Sequence, residues 1–240
     1  MSQIIQEFYR EFESQNPNHT HRATHQGLWC GAIDATIYQT LTGAWSGLVP
    51  HGQTRPKDID SSWHPCAFDS INQGILDHEV ESVVAFLPPI DPQTWPQWLT
   101  HWVSRLQAHQ GRFYCVTFGP LTLASIAPAA TMCWPFLDMH DLGDAIAASG
   151  LHGCLMTSQL LGFQYQTPGK LQQDLDHLAP FLTSNSAPVF RESVLEWAQS
   201  QWGSGATVEL EIELLCGQGG TDLTANAQTV PLEQVTKRLR

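Results

Sequence analysis

Three histidines, His19, His21 and His25, stand at H-x-H-x-x-x-H spacing, and neutral imidazoles that close together could hold a zinc ion. Asn18 and Thr20 sit among them, so a solvated His-rich loop is the simpler reading and no metal is expected. A second polar group is Asp138, His140, Asp141 and Asp144. It could line a substrate pocket, yet acids in the first turn of a helix are stabilised by its dipole without any function, and capping is the favoured reading. Asp69-Ser70 reads either as a ligand contact or as an Asp-Ser turn that caps the segment after it. Cys30 lies at a helix entrance, where a thiolate is stabilised, but no histidine is obliged to be near it, and a buried structural thiol is expected. Trp95, Trp98 and Trp102 could form an aromatic surface; the leucine and valine at matching spacing favour core packing instead.

The elements that carry these residues follow from apolar periodicity. Ile4, Ile5, Phe8 and Phe12 predict a short first helix that Asn16-Pro17-Asn18 stops. Gly27 to Cys30, then Ile33, Ile37, Tyr38 and Leu41 up to Gly43, predict a strand, a turn and a helix. Ser46 to Pro65 reads as loop, with a strand only over Gly47 to Val49. Ser82 to Leu87 is an apolar run before Pro88-Pro89, as in a strand buried on both faces of a parallel sheet. An apolar stripe from Trp95 to Leu106 predicts a helix, and Arg112 to Phe118 the next strand, which together make a βαβ crossover. Asp138 and Gly150 mark the two ends of a further helix. Leu160 to Tyr165 is a candidate strand, and Leu171, Leu175, Leu178 and Leu182 predict a helix. Val208, Leu210, Ile212 and Leu214 alternate with Glu209, Glu211 and Glu213, the pattern of a strand with one wet face, expected antiparallel at the end of the sheet.

Composition bounds the function. A 240-residue chain that is 42% hydrophobic suits one domain, expected over residues 1–217 with a polar tail over 218–240. A net charge of −12, with only 11 Lys and Arg, argues against nucleic acid or an anionic membrane as partner and leaves a small molecule or a protein. Six widely spaced cysteines with no C-x-x-C pair suit a reducing cytoplasm, and no apolar run approaches the ~18 residues of a membrane-spanning helix.

Val116-Thr117-Phe118-Gly119-Pro120, followed by Phe136-Leu137-Asp138-Met139-His140-Asp141-Leu142-Gly143-Asp144-Ala145, resembles the malonyl-acyl-carrier-protein O-methyltransferases of biotin synthesis. Asp69-Ser70 before Asp77, Val80, Glu81 and Val83 extends the resemblance upstream, and Val208 to Gly217 extends it downstream, so that it covers roughly residues 66 to 217. It implies a class I methyltransferase-like, Rossmann-like α/β three-layer sandwich, with a mainly parallel seven-stranded sheet and an antiparallel last strand. It also implies S-adenosylmethionine as cofactor, met by Trp29, Gly31, Asp69, Ser70 and Leu87, and a substrate met by His140 and Arg10.

The chain departs from that family's pattern at the glycine turn after the first strand, whose counterpart is Gly27-Leu28-Trp29-Cys30-Gly31-Ala32-Ile33. Only Gly31 remains within the turn, Trp29 is expected to project toward the ligand space, and β-branched Ile33 is unfavourable at positive φ. Between Ala35 and Lys57 there is no Asp or Glu to hold the ribose, a loss worth roughly 1.5–3 kcal/mol of binding. Gln15 and Pro135 stand where the family tends to carry Tyr and Arg. Two functions therefore compete: O-methyl transfer to a small carboxylic acid or carrier-bound acyl group, with the cofactor weakly held, and a degenerate methyltransferase-like module that has lost the cofactor and binds a partner.

Overall fold

A strand covered on both faces can be apolar at every position, and Ser82–Phe86 is buried along its whole length. It forms the middle of a sheet in a computed structural model that describes residues 3–15, 26–31, 44–50, 63–66, 80–88, 94–106, 110–126, 136–182 and 187–222. The elements are α1 (Gln3–Gln15), β1 (Gln26–Gly31), β2 (Ala44–Pro50), β3 (Trp63–Cys66), β4 (Ser82–Phe86), α2 (Trp95–Val103) and β5 (Arg112–Phe118). After these come α3 (Met139–Ala148), β6 (His152–Tyr165), α4 (Pro168–Leu182), α5 (Ala187–Gly203) and β7 (Val208–Gly220). The seven strands lie in the order β3-β2-β1-β4-β5-β7-β6. The first five run parallel to one another, and β7 runs antiparallel to both β5 and β6.

Alternation along β1 divides the core into two layers. Trp29 faces the side covered by α1, α4 and α5, with Phe8, Phe12, Phe86, Phe118, Leu175 and Val194 in the same cluster. Leu28 and Cys30 face the other side, where Trp95, Leu99 and Trp102 of α2 meet Leu142 and Ile146 of α3. The tryptophan stripe is thus core, with Trp102 packed on both Trp95 and Trp98 and stacked on Phe113. Both ends of α3 are as the sequence marks them: Asp138 Oδ1 accepts from the backbone N–H groups of His140 and Asp141 at 2.7 and 2.9 Å, and Gly150 follows the helix at φ +94°.

The structure corrects several sequence expectations. The strand expected over Gly47 to Val49 is β2, longer than read at both ends, and the rest of the stretch read as loop contributes a further strand, β3, which pairs with β2 in parallel from Gly47 with Trp63 to Pro50 with Cys66. Pro65 obscured β3, but a residue without an N–H is tolerated on an edge strand, and β3 is an edge. β6 begins at His152, eight residues before the predicted start, because its first half mixes polar and apolar residues, none of them fully buried, and carries no alternating signal. β7 is second from the edge, and it continues to Gly220, three residues past the Gly217 where the sequence pattern was read to end; just after it, the Thr221 hydroxyl accepts from the Gly111 N–H at 3.0 Å. α5 was not read from the sequence: Phe190, Val194 and Ala198 are its buried row, while exposed Val189 and half-buried Trp197 and Trp202 spread apolar character around it. The helix expected from Ile33 to Gly43 lies outside the described residues.

Candidate cofactor site

In an open parallel sheet, ligands bind beyond the carboxyl ends of the strands where the strand order reverses. Here the chain goes from β1 outward to β2 and β3, then returns to β4 on the other side of β1, so the switch lies between β1 and β4. Gly31, the last residue of β1, sits there at φ +121°. A Cβ on it would stand 2.0 Å from the Phe86 carbonyl oxygen and 3.1 Å from the Pro88 nitrogen, so only glycine lets the ends of β1 and β4 come this close.

Leu87, on the β4 side of the same switch, is 1% exposed and holds φ +45°. A non-glycine residue in that region is strained by roughly 1–3 kcal/mol and persists only where its surroundings over-determine it. Here the Leu87 N–H donates to the Val116 carbonyl at 2.8 Å, tying the end of β4 to β5. Two positive-φ residues thus face each other across the crevice. Gly31 and Leu87 were both named from the sequence, and they are the pair that the structure brings together.

The other expected residues are dispersed. Trp29 is fully buried, its ring 5.4 Å from that of Phe86 and 6.3 Å from that of Tyr9, with Phe12 edge-on to it. Its place inside the strand, two residues before the switch, sets the indole in the aromatic layer under α1. Arg10 stands on the exposed side of α1, where its guanidinium pairs with Glu7 at 2.6 Å. His140 is 85% exposed at the start of α3, 3.9 Å from Asp138. Its helix packs on the opposite face of the sheet from α1, which carries Arg10.

The Asp138 carboxyl is held below its ordinary pKa chiefly by the Asp141 N–H, then by that of His140, which is the signature of a cap. Cys30 is buried. Asp69, Ser70, His19, His21, His25, Ile33 and Pro135 lie outside the described residues. Among the described residues no group of three His, Cys, Asp or Glu side chains is placed to hold a metal ion, and no helix is long and apolar enough to cross a membrane.

Two buried acids among the described residues escaped the sequence reading: Asp174, which accepts from the Tyr165 hydroxyl at 2.9 Å, and Glu213. Glu213 belongs to the strand face expected to be wet, yet it is 7% exposed under the turn that follows β5. Strict alternation with Glu209 and Glu211 gave no signal that would separate it from them.

No family model and no curated protein sequence matches the chain. Among solved structures, a Bacillus halodurans protein described as a methyltransferase matches with a TM-score of 0.51 at 8% identity, over 90% of this chain and 98% of that one. The chain has the class I methyltransferase fold. The YcgJ protein of Bacillus subtilis matches at a TM-score of 0.49 and 12% identity, over 88% of this chain and 98% of its own. A phosphoethanolamine N-methyltransferase of Haemonchus contortus in complex with S-adenosyl-L-methionine matches at 0.47 and 8%, over 90% of this chain and 52% of its own.

Proposed function

We propose that the chain is an S-adenosylmethionine-dependent O-methyltransferase that acts on a small carboxylic acid or a carrier-bound acyl group and holds its cofactor weakly. The observation that carries this reading is the pair of positive-φ residues, Gly31 and Leu87, on either side of the switch between β1 and β4. Backbone strain at a strand end that coincides with the fold's ligand crevice points to a site shaped for close approach. What supports a fit to the cofactor's methionine end is the turn at Gly31, whose positive φ lets the end of β1 close against the backbone from Phe86 to Pro88 at the mouth of the crevice. When bound, the cofactor supplies a methyl group on a sulfonium already activated by its own charge. A carboxylate acceptor is deprotonated at neutral pH, so the protein need only align the two reactants, and no general base is required.

The fit is poorer at the ribose end. β2 ends at Pro50, and no Asp or Glu stands between Ala35 and Lys57. Loss of that charge-assisted bond weakens binding by roughly one or two decades. The same observation favours the second reading, a partner-binding module that has lost the cofactor. Calorimetric titration with S-adenosylhomocysteine separates the two. A saturable isotherm weaker than the low micromolar range supports a weakly binding enzyme, and no saturable heat up to the millimolar range supports the module. A constant in the low micromolar range or tighter would show that another group holds the ribose.

A further inference from the structure

The turn that follows β5 is held by a carboxylate that methyl transfer does not consume. Glu213 Oε2 accepts from the Leu121 N–H at 2.9 Å, and Oε1 accepts from the Ser158 hydroxyl at 2.6 Å. The Glu213 backbone grips the same turn: its carbonyl accepts from the Gly119 N–H at 2.9 Å, and the Thr122 hydroxyl lies 3.3 Å from both its N and its O. Gly119 is shaped around this side chain. A Cβ there would meet the Glu213 carboxyl at 2.3 Å, and since Gly119 is not among the positive-φ residues, space and not conformation explains the glycine.

Burying an ionised carboxylate is unfavourable unless donors are aimed at it. An apolar side chain like those of Ile212 and Leu214 beside it would fill the space with less desolvation, but could not bind the amide of a turn that has no strand of its own to pair with. The turn is continuous with the end of β5, where the Val116 carbonyl holds strained Leu87. A line of hydrogen bonds and covalent backbone therefore runs from Glu213 to the crevice.

We propose that Glu213 is a positioning residue for the acceptor side of the site: it locks the turn from Gly119 to Thr122 against the carboxyl end of β5, where an acceptor would meet the methyl group. The acceptor half of this inference rests on the methyl-transfer reading, whereas the lock itself does not. Three measurements on the full chain separate them. Hydrogen exchange at the Leu121 amide should quicken tenfold or more in Glu213→Ala and stay within about threefold of the parent in Glu213→Gln, whose amide oxygen still accepts, while Val84 and Cys115 are unchanged. Should Glu213→Ala fail to fold, Ser158→Ala removes one of the two carboxylate bonds and should quicken Leu121 by a few-fold. Methyl transfer from labelled cofactor to straight-chain acids from acetate to octanoate, and to malonate, should then show a KM for the best acid raised about tenfold in Glu213→Ala and largely restored in Glu213→Gln. S-adenosylhomocysteine affinity should stay within about twofold throughout.

Unchanged Leu121 exchange in Glu213→Ala overturns the lock. Faster exchange with an unchanged KM, or equal losses of KM and cofactor affinity, overturns the positioning role. No turnover of any acid removes the acceptor half together with the carboxylic-acid reading, and the cofactor titration of the parent chain then shows whether the methyl-transfer reading fails as a whole.

Discussion

Gly31→Ala and Gly150→Ala make a controlled pair, because both glycines hold positive φ, +121° and +94°, but only one is crowded. Around Gly150 nothing lies within 4 Å of the added Cβ, so its substitution carries the conformational penalty alone, about 1–2 kcal/mol. At Gly31 the same methyl would stand 2.0 Å from the Phe86 carbonyl oxygen and 2.9 Å from its carbon, both backbone atoms that cannot swing aside. β1 and β4 must then part by roughly an ångström at their carboxyl ends, and overpacking of this kind adds about 1–3 kcal/mol. Gly31→Ala should therefore lose about 2–5 kcal/mol in urea denaturation, at least ~1 kcal/mol more than Gly150→Ala. It should also abolish binding of S-adenosylhomocysteine, which Gly150→Ala leaves intact. Equal losses for the two variants would refute the close approach of β1 and β4, and a folded Gly31→Ala that still binds the ligand would refute the placement of the site.

Trp29→Ala should destabilise the fold by about 3–5 kcal/mol, as truncation of a buried aromatic does, with no gain in cofactor affinity; a gain would show that the indole does reach the ligand space. Burial, with a contribution from Glu11 and against a hydrogen bond to Thr157, pushes the Cys216 thiol up from 9.0 to about 12. Its folded pKa is raised, so its stabilising effect is complete below about pH 9 and is lost as pH rises toward about 12. Urea midpoints between pH 7.5 and 11 should fall more steeply in the parent than in Cys216→Ala, and equal slopes would contradict this. For Asp138 the sign is opposite: its lowered pKa makes the cap effective at neutral pH and weakens it as pH falls through the carboxylate range. Thermal melts should show Asp138→Asn keeping the cap but losing part of that acid sensitivity, and Asp138→Ala lowering the melting temperature at pH 7. His140 is exposed at the start of α3, so His140→Ala should leave methyl transfer within about twofold, and a loss of tenfold or more would put it on the substrate side.

The elements that the sequence announced are those whose two faces differ or whose whole length is apolar. β4, β5 and α2 carry uninterrupted or strictly periodic hydrophobic residues, and the structure has them within three residues of the expected limits. β3 and the first half of β6 were hidden because an edge strand needs neither an apolar run nor freedom from proline. At the site, Gly31 was legible since a glycine that closes a strand before a helical pattern has few other uses. Leu87 could be named by its place after the strand, but its strain could not, because nothing in a leucine's sequence context signals φ +45°. The surroundings of Trp29 could not be read from the sequence, because a one-residue step along a strand reverses the face, and which face α1 covers is decided by tertiary packing. Glu213 is the same problem inverted, since the turn that buries it comes from a segment some ninety positions away in sequence.

The position of β7 also has a consequence for how the chain is made. β5 pairs on one side with β4, but its other edge is completed by β7, from Arg112 opposite Gly220 to Phe118 opposite Leu214. The ribosome therefore delivers β6, α4 and α5 before the strand that must slide between β5 and β6. At roughly 5–20 residues per second, the interval between the emergence of β5 and that of β7 lasts several seconds or more. Throughout it, the inner edge of β5 offers unpaired backbone groups, and β6, which has no Asp, Glu, Lys or Arg in its 14 residues, is the nearest strand able to take them. A premature pairing of β5 with β6 would have to open again before the sheet could close, which makes the synthesis of residues 119–207 the interval in which a nascent-chain chaperone has most to protect.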